Sequence, residues 1–206
     1  MHEMKLGFYR PWEFYMSQIA IAVGIFSTLG SVIGFHVTWL LAGYRTGMHY
    51  WTFGWANAFI MSCFSEIMAV ILATNLPSYP AAAGAFTGPF TCCLLPLCGL
   101  FIATPHLPYI MRGLAYYNPM YYCAGAEVLN QFKDRELIQD DFTGFYVGFT
   151  AGNQLVEELG YDKVTGNKYY NLAIAAAQAF LLAVVGYRSL RQLVGQGMMG
   201  GDRAMG

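Results

Sequence analysis

Glu66 is the only Asp, Glu, Lys or Arg between Thr46 and Met111. A carboxylate inside so long an uncharged stretch is costly unless it faces a bundle interior or a cavity, where such groups contact substrate or carry a proton. The other use is packing: a neutral or hydrogen-bonded Glu fixes one helix against another, with Gln18 or Gln178 as partner. Both readings stay open from the residues alone. Other chemistry is scarce. A phosphate-cradling loop needs GxxxxGK[ST], so that backbone amides surround the phosphate and Lys neutralises it. The nearest string, Gly160-Tyr-Asp-Lys-Val-Thr-Gly166-Asn-Lys168, has the wrong spacing and no hydroxyl after Lys168; it reads as a turn. No GxSxG, HExxH or CxxC occurs. His2, His36, His49 and His106 are scattered, and Cys63, Cys92, Cys93 and Cys98 fall in apolar runs, leaving Cys123 alone in the polar part. Neither a metal centre nor a disulfide within the polar part is expected. The chain is read as no enzyme.

The elements that hold these residues follow from where charge is missing. Of 206 residues, 56% are hydrophobic and 11% charged, against about 25% charged in soluble domains. Phe14–Tyr44, Thr46–Ser65, Ile67–Met111 and Asn171–Tyr187 carry no charge. A bilayer span needs about 20 apolar residues, so four membrane helices are expected, at about 15–42, 52–74, 80–104 and 170–190. Backbone groups in lipid must satisfy one another, and period-two alternation is absent, so the spans are helices and not barrel strands. An outer segment, 105–169, holds 8 of the 12 acidic and 5 of the 11 basic residues. A flexible tail is expected over 194–206. Lys5, Arg10, Arg188, Arg191 and Arg203 lie on the terminal segments, against Arg45 alone in the short turns. The positive-inside rule therefore puts both termini in the cytoplasm. A net charge of −1 offers no footprint for nucleic acid.

Within the spans, Gly30 and Gly34 lie four apart, as residues at close helix–helix seams do; their excess in membrane helices is the plainer account. Gly84, Gly88, Pro89 and Pro96 break the helix ladder of the third span, suiting either a mobile cavity-lining helix or a static kink. After it, five Tyr and few charges over 105–132 fit a segment at the membrane interface. Asn118-Pro119 divides that segment into two short helices. They form either a re-entrant pair or an amphipathic helix lying flat on the surface.

Four stretches together resemble the membrane domain of G-subfamily ABC transporters, the half-size white and multidrug-resistance type. His2-Glu-Met-Lys-Leu-Gly-Phe-Tyr-Arg10 with Tyr15 is similar to the family's (H/R)E…G-x-Y-R…Y entry to a membrane helix. Cys98-Gly-Leu-Phe101 resembles its Gly-hydrophobic pair near an outer helix end. Tyr117-Asn-Pro-Met-Tyr-Tyr122 with Leu129-Asn-Gln-Phe132 resembles its Y-x-x-P-x-x-Y…N-E-F re-entrant segment. Gly152-Asn-Gln-Leu-Val-Glu-Glu-Leu-Gly160 is similar to its G-x-x-x-L-x-x-x-G. The resemblance implies an all-α integral membrane fold: four spans, a re-entrant helical segment and a long outer loop before the last helix. Residues 1–206 would be a partial ABC-2 type transmembrane domain, the C-terminal half.

By that resemblance Glu3 and Arg10 would contact a nucleotide-binding domain, and Leu100 and Phe101 would form the apolar plug of the substrate path. Cys92 and Leu95 would line its cavity. Gln131 stands where the family usually has Glu. The function implied is the permease part of an exporter of lipid-like or amphipathic substrates, working by alternating access in the plasma membrane. No cofactor is expected in this chain; ATP and magnesium belong to the partner domain. Expected partners are that domain, further membrane helices, a second protomer (same or different) and the bilayer. Relatives carry an ATPase domain and two more helices ahead of this point, so a truncated product, an incompletely predicted gene or a separately encoded fragment is expected. A different function is a non-transporting regulator that dimerises with full transporters through Gly30 and Gly34. A third is an autonomous four-helix channel.

Overall fold

The computed structural model describes residues 10–75, 94–135, 151–162 and 166–201, with side chains through 195. Regular structure among them is helical. Helix α1 runs Pro11–Ala42 and α2 runs Met48–Asn75; α3 is Tyr109–Tyr117, α4 Pro119–Phe132, α5 Gly152–Leu159 and α6 Lys168–Gly201. Three of these are long and apolar enough to cross a membrane: α1, α2 and α6 over Lys168–Gly195. They fall on three of the four expected spans, 15–42, 52–74 and 170–190. Most of the expected third span, the Gly84–Pro89 kink, Glu3, Cys92 and the end of the tail lie outside the described residues.

Local chemistry sets the helix ends. Pro11 opens α1, where its missing N–H costs nothing, and the Arg10 backbone N–H donates to the Glu13 carboxylate at 3.1 Å. Gly43, in the left-handed region at φ 60°, closes it. Midway, Ala22–Ser27 winds as a π-helix. Phe14, Gln18, Ala22, Phe26, Gly30, Gly34 and Thr38 of α1 all line cavities. That strict spacing of four drifts about 40° per step on a straight α-helix. The wider π turns take up part of the drift and keep one edge of α1 toward α2.

Helix α4 is buried by α2 and α6. Tyr121, Cys123, Ala126, Val128 and Leu129 are all buried. Gly125 is needed there, because a Cβ would stand 2.7 Å from the Tyr161 ring. At the other end of the bundle, the Tyr15 hydroxyl donates to the Ala183 carbonyl at 2.8 Å, and Trp12 packs edge-on against Tyr187. Ser189 Oγ donates to Asn75 Oδ1 at 2.6 Å and ties α6 to the end of α2.

The described end of the expected third span, 94–104, is not one continuous helix. Pro96–Cys98 forms a 3-10 turn, Gly99 turns left-handed at φ 88° and Thr104–His106 makes a second turn. Proline removes a ladder donor, and a left-handed residue stops the helix. Three side chains hold this connection. The Tyr161 hydroxyl donates to the Cys98 carbonyl at 2.6 Å. Asn118 Nδ2 donates to the Leu94 carbonyl at 2.8 Å. Arg112 donates to the carbonyls of Pro105 and Leu107 at 2.5 and 3.1 Å. Asn118 also caps α4, its Oδ1 accepting from the Met120 N–H at 3.0 Å. The helix break expected at Asn118-Pro119 falls there.

Candidate functional site

Helices α1 and α2 diverge around a cavity of about 410 Å³. Gly30, Ser31, Gly34 and Phe35 of α1 form one wall; Gly54, Asn57, Ala58 and Met61 of α2 form the next. Leu95, Cys98 and Leu100 of the connection and Met120, Cys123 and Glu127 of α4 complete it. The cavity gathers Gly30, Gly34, Leu95 and Leu100 from the sequence-derived candidates. Phe101, by contrast, is exposed, at 72%. Gly30 and Gly34 have no atom within 4 Å of an added Cβ, so they face open space in this chain. The close approaches lie at other glycines: a Cβ on Gly54 would stand 2.7 Å from the Phe35 ring and 3.2 Å from Glu127 Oε1.

A second cavity of about 450 Å³ between α1 and α2 is lined by Phe14, Gln18, Phe26, Glu66, Val70 and Thr74, among others. Glu66 and Gln18 thus share a cavity. Gln178 lies elsewhere and donates to the Tyr117 carbonyl at 3.4 Å. Arg10 is exposed at the start of α1.

Polar residues close one end of the first cavity. Asn57 Nδ2 donates to the Cys123 carbonyl at 2.9 Å and to Glu127 Oε2 at 3.3 Å. Gln131 Nε2 donates to Glu127 Oε1 at 2.8 Å, while its own oxygen accepts from the Arg45 N–H at 2.8 Å. One turn along, Asn130 donates to the Tyr50 carbonyl at 3.1 Å and accepts from Lys168 Nζ at 2.7 Å. Lys168 also sits 4.7 Å from the centre of the Phe53 ring, a cation–π contact. The cluster ties α2, α4 and α6 together.

Burial pushes the Glu127 carboxyl up from its ordinary pKa; hydrogen bonds from Gln131, Asn57 and Asn130 and the charge of Lys168 hold it back only in part. The folded chain therefore keeps a proton that the unfolded chain releases at lower pH. Stability from this group is full below the ordinary carboxylate pKa and is lost as pH rises through the raised value. We expect the melting temperature of the detergent-solubilised chain to fall over that window. In Glu127→Gln, which cannot ionise, that part of the fall should be missing; an identical pH profile would contradict the assignment.

Sequence reasoning missed this cluster. Glu127 counted there as one of eight acidic residues in a segment read as water-exposed, and Asn57 drew no attention. The available signal was Glu127 and Gln131, four apart after the Pro119 helix start, which places them on one face.

Residues 1–132 match the family described as ABC-2 type transporter. Over 175 residues the chain is 22% identical to a protein of Dictyostelium discoideum called ABC transporter G family member 12. The match covers 81% of this chain and 27% of that protein, so the chain spans about a quarter of the length of the curated relative it matches.

Proposed function

The chain belongs to the ABC-2 type transporter family, whose membrane domain is the permease part of an ABC transporter, and we propose that it serves an ATP-driven exporter of lipid-like or amphipathic substrates. The cavity of about 410 Å³ with Leu95 and Leu100 in its wall carries this reading: it is large enough for an amphipathic molecule and borders the segment where the apolar plug is expected. In this proposal Leu100 and Phe101 gate the path, with Cys92 and Leu95 lining it. A nucleotide-binding domain supplies ATP hydrolysis and meets residues 2–10, where Glu3 and Arg10 are its contacts. Its closure shifts the helices about the plug in an alternating-access cycle.

The proposal keeps four spans, with α3 and α4 as a re-entrant pair, both termini in the cytoplasm and the plasma membrane as the site of action. It also keeps a second protomer, homo- or heterodimeric. The open faces of Gly30 and Gly34 favour a second reading, a regulator that docks there on a full transporter without transporting. Co-purification from native membranes with a nucleotide-binding partner, followed by flux of fluorescent phosphatidylcholine in proteoliposomes, separates the two. ATP-dependent flux supports the permease; partner binding without flux supports the regulator and overturns the first reading.

A further inference from the structure

The polar end of the cavity asks for a positively charged ligand group. The donors to Glu127 are the neutral amides of Asn57, Gln131 and Asn130. The cations of the cluster make their hydrogen bonds to other groups, Lys168 Nζ to Asn130 Oδ1 at 2.7 Å and the Arg45 guanidinium to the Lys133 carbonyl at 3.0 Å, so the Lys168 charge acts on Glu127 without direct contact. A second observation points the same way. Asn57 is 6% exposed, and its Oδ1 has no hydrogen-bond partner among the described residues. The amide cannot flip to relieve this. Its Nδ2 faces a carbonyl and a carboxylate, both acceptors, and turning the oxygen toward them would lose both bonds. One end of the cavity therefore presents a carboxylate without a direct cation, and behind it the wall buries an amide oxygen without a donor. The remaining walls, Phe35, Ala58, Met61, Leu95, Leu100 and Met120, are apolar.

We propose that this cavity binds an amphipathic amine, its ammonium group seated between Glu127 and Asn57 and its hydrocarbon chain along Met61, Leu95 and Leu100. An ammonium offers three donors and no acceptor, the complement of what the site leaves unmet. It also gives the buried carboxylate the opposite charge that a desolvated ion needs. The placement deepens the permease reading by assigning head-group selection to α2 and α4, and it rests on that reading only for its role in transport, since binding is measured without ATP or partner.

The test uses the full chain in phosphatidylcholine nanodiscs with two photoreactive probes, a dodecylamine bearing a diazirine and its neutral N-acetyl counterpart. Labelled positions are mapped by peptide mass spectrometry. The amine should label residues 54–62 and 120–127 about tenfold over the acetamide, the scale of one charge-assisted hydrogen bond. Glu127→Gln should bring the two probes level, and Ala58→Phe, which fills the cavity, should remove both. If Glu127→Gln does not fold, competition on the wild-type chain replaces it: excess unlabelled dodecylamine should suppress the amine label at 54–62 and 120–127, and excess N-acetyldodecylamine should not. Equal labelling by both probes, or an amine preference unchanged in these variants, overturns the proposal. Labelling confined to the exposed Leu40 and Leu41 overturns it too, since it would place the probes in the surrounding lipid and not in the cavity. ATP-dependent flux of phosphatidylcholine alongside any of these failures would leave the permease reading standing.

Discussion

Gly54→Val should prevent the chain from reaching a stable fold. The added Cβ alone would lie 2.7 and 2.8 Å from two ring carbons of Phe35 and 3.2 Å from Glu127 Oε1. Phe35 could yield only toward the cavity it walls, which would part it from its aromatic neighbours. It is 6% exposed, with Trp39 and Trp51 at ring-centre distances of 5.6 and 6.3 Å. Moving Glu127 instead would break its bonds to Asn57 and Gln131. Overpacking of this kind costs about 1–3 kcal/mol for small additions, and valine adds two methyl groups beyond the clashing Cβ. Alanine at the same position should lower the melting temperature measurably, and valine should leave little monodisperse protein after detergent extraction. Gly30→Ala is the control. With nothing within 4 Å of its Cβ, it should be neutral or gain up to about 1 kcal/mol from helix propensity. A Gly30 variant as damaging as Gly54→Val would contradict the packing described.

Asn118→Leu should produce the second large loss. The Asn118 side chain satisfies two backbone groups at once, the half-buried Leu94 carbonyl at 2.8 Å and the buried Met120 N–H at 3.0 Å. Leucine serves neither. Each orphaned buried group costs about 1–3 kcal/mol, and the second is also the cap of α4. The connection carrying Leu95 and Leu100 would lose one of its three side-chain ties. Asn118→Asp keeps the acceptor for Met120 but not the donor for Leu94, so it should fall between wild type and leucine. Thermal unfolding in one detergent ranks the three chains. An aspartate variant as unstable as the leucine variant would remove the capping part of this account.

These predictions show which parts of the molecule could be read from the amino-acid order. Long uncharged runs have one solution in a bilayer, so α1, α2 and α6 were visible as helices, and Asn118-Pro119 marked the break between α3 and α4. Gly30 and Gly34 stand out by their spacing, yet close approaches lie at other glycines, among them Gly54, Gly125 and Gly186. A close approach depends on what stands opposite, a Phe35 or Tyr161 ring or Ile71, and spacing along one helix does not carry that. The polar end of the cavity was hidden for a similar reason. Glu127 lies in a stretch of ordinary polarity, and only the packing of α4 between α2 and α6 buries it. The Glu66 alternatives narrow to a shared cavity with Gln18, because Gln178 lies elsewhere on α6 and bonds to Tyr117.

The central claim is that the cavity bounded by Leu95 and Leu100 belongs to an ATP-driven path. It is tested most directly by thiol labelling of Leu100→Cys in the chain assembled with its nucleotide-binding partner in proteoliposomes, quantified at that position by mass spectrometry. Alternating access predicts that the labelling rate differs severalfold between the nucleotide-free and the ATP–vanadate-trapped states. A rate at position 100 that stays the same in both states, in an assembly that hydrolyses ATP, would contradict it.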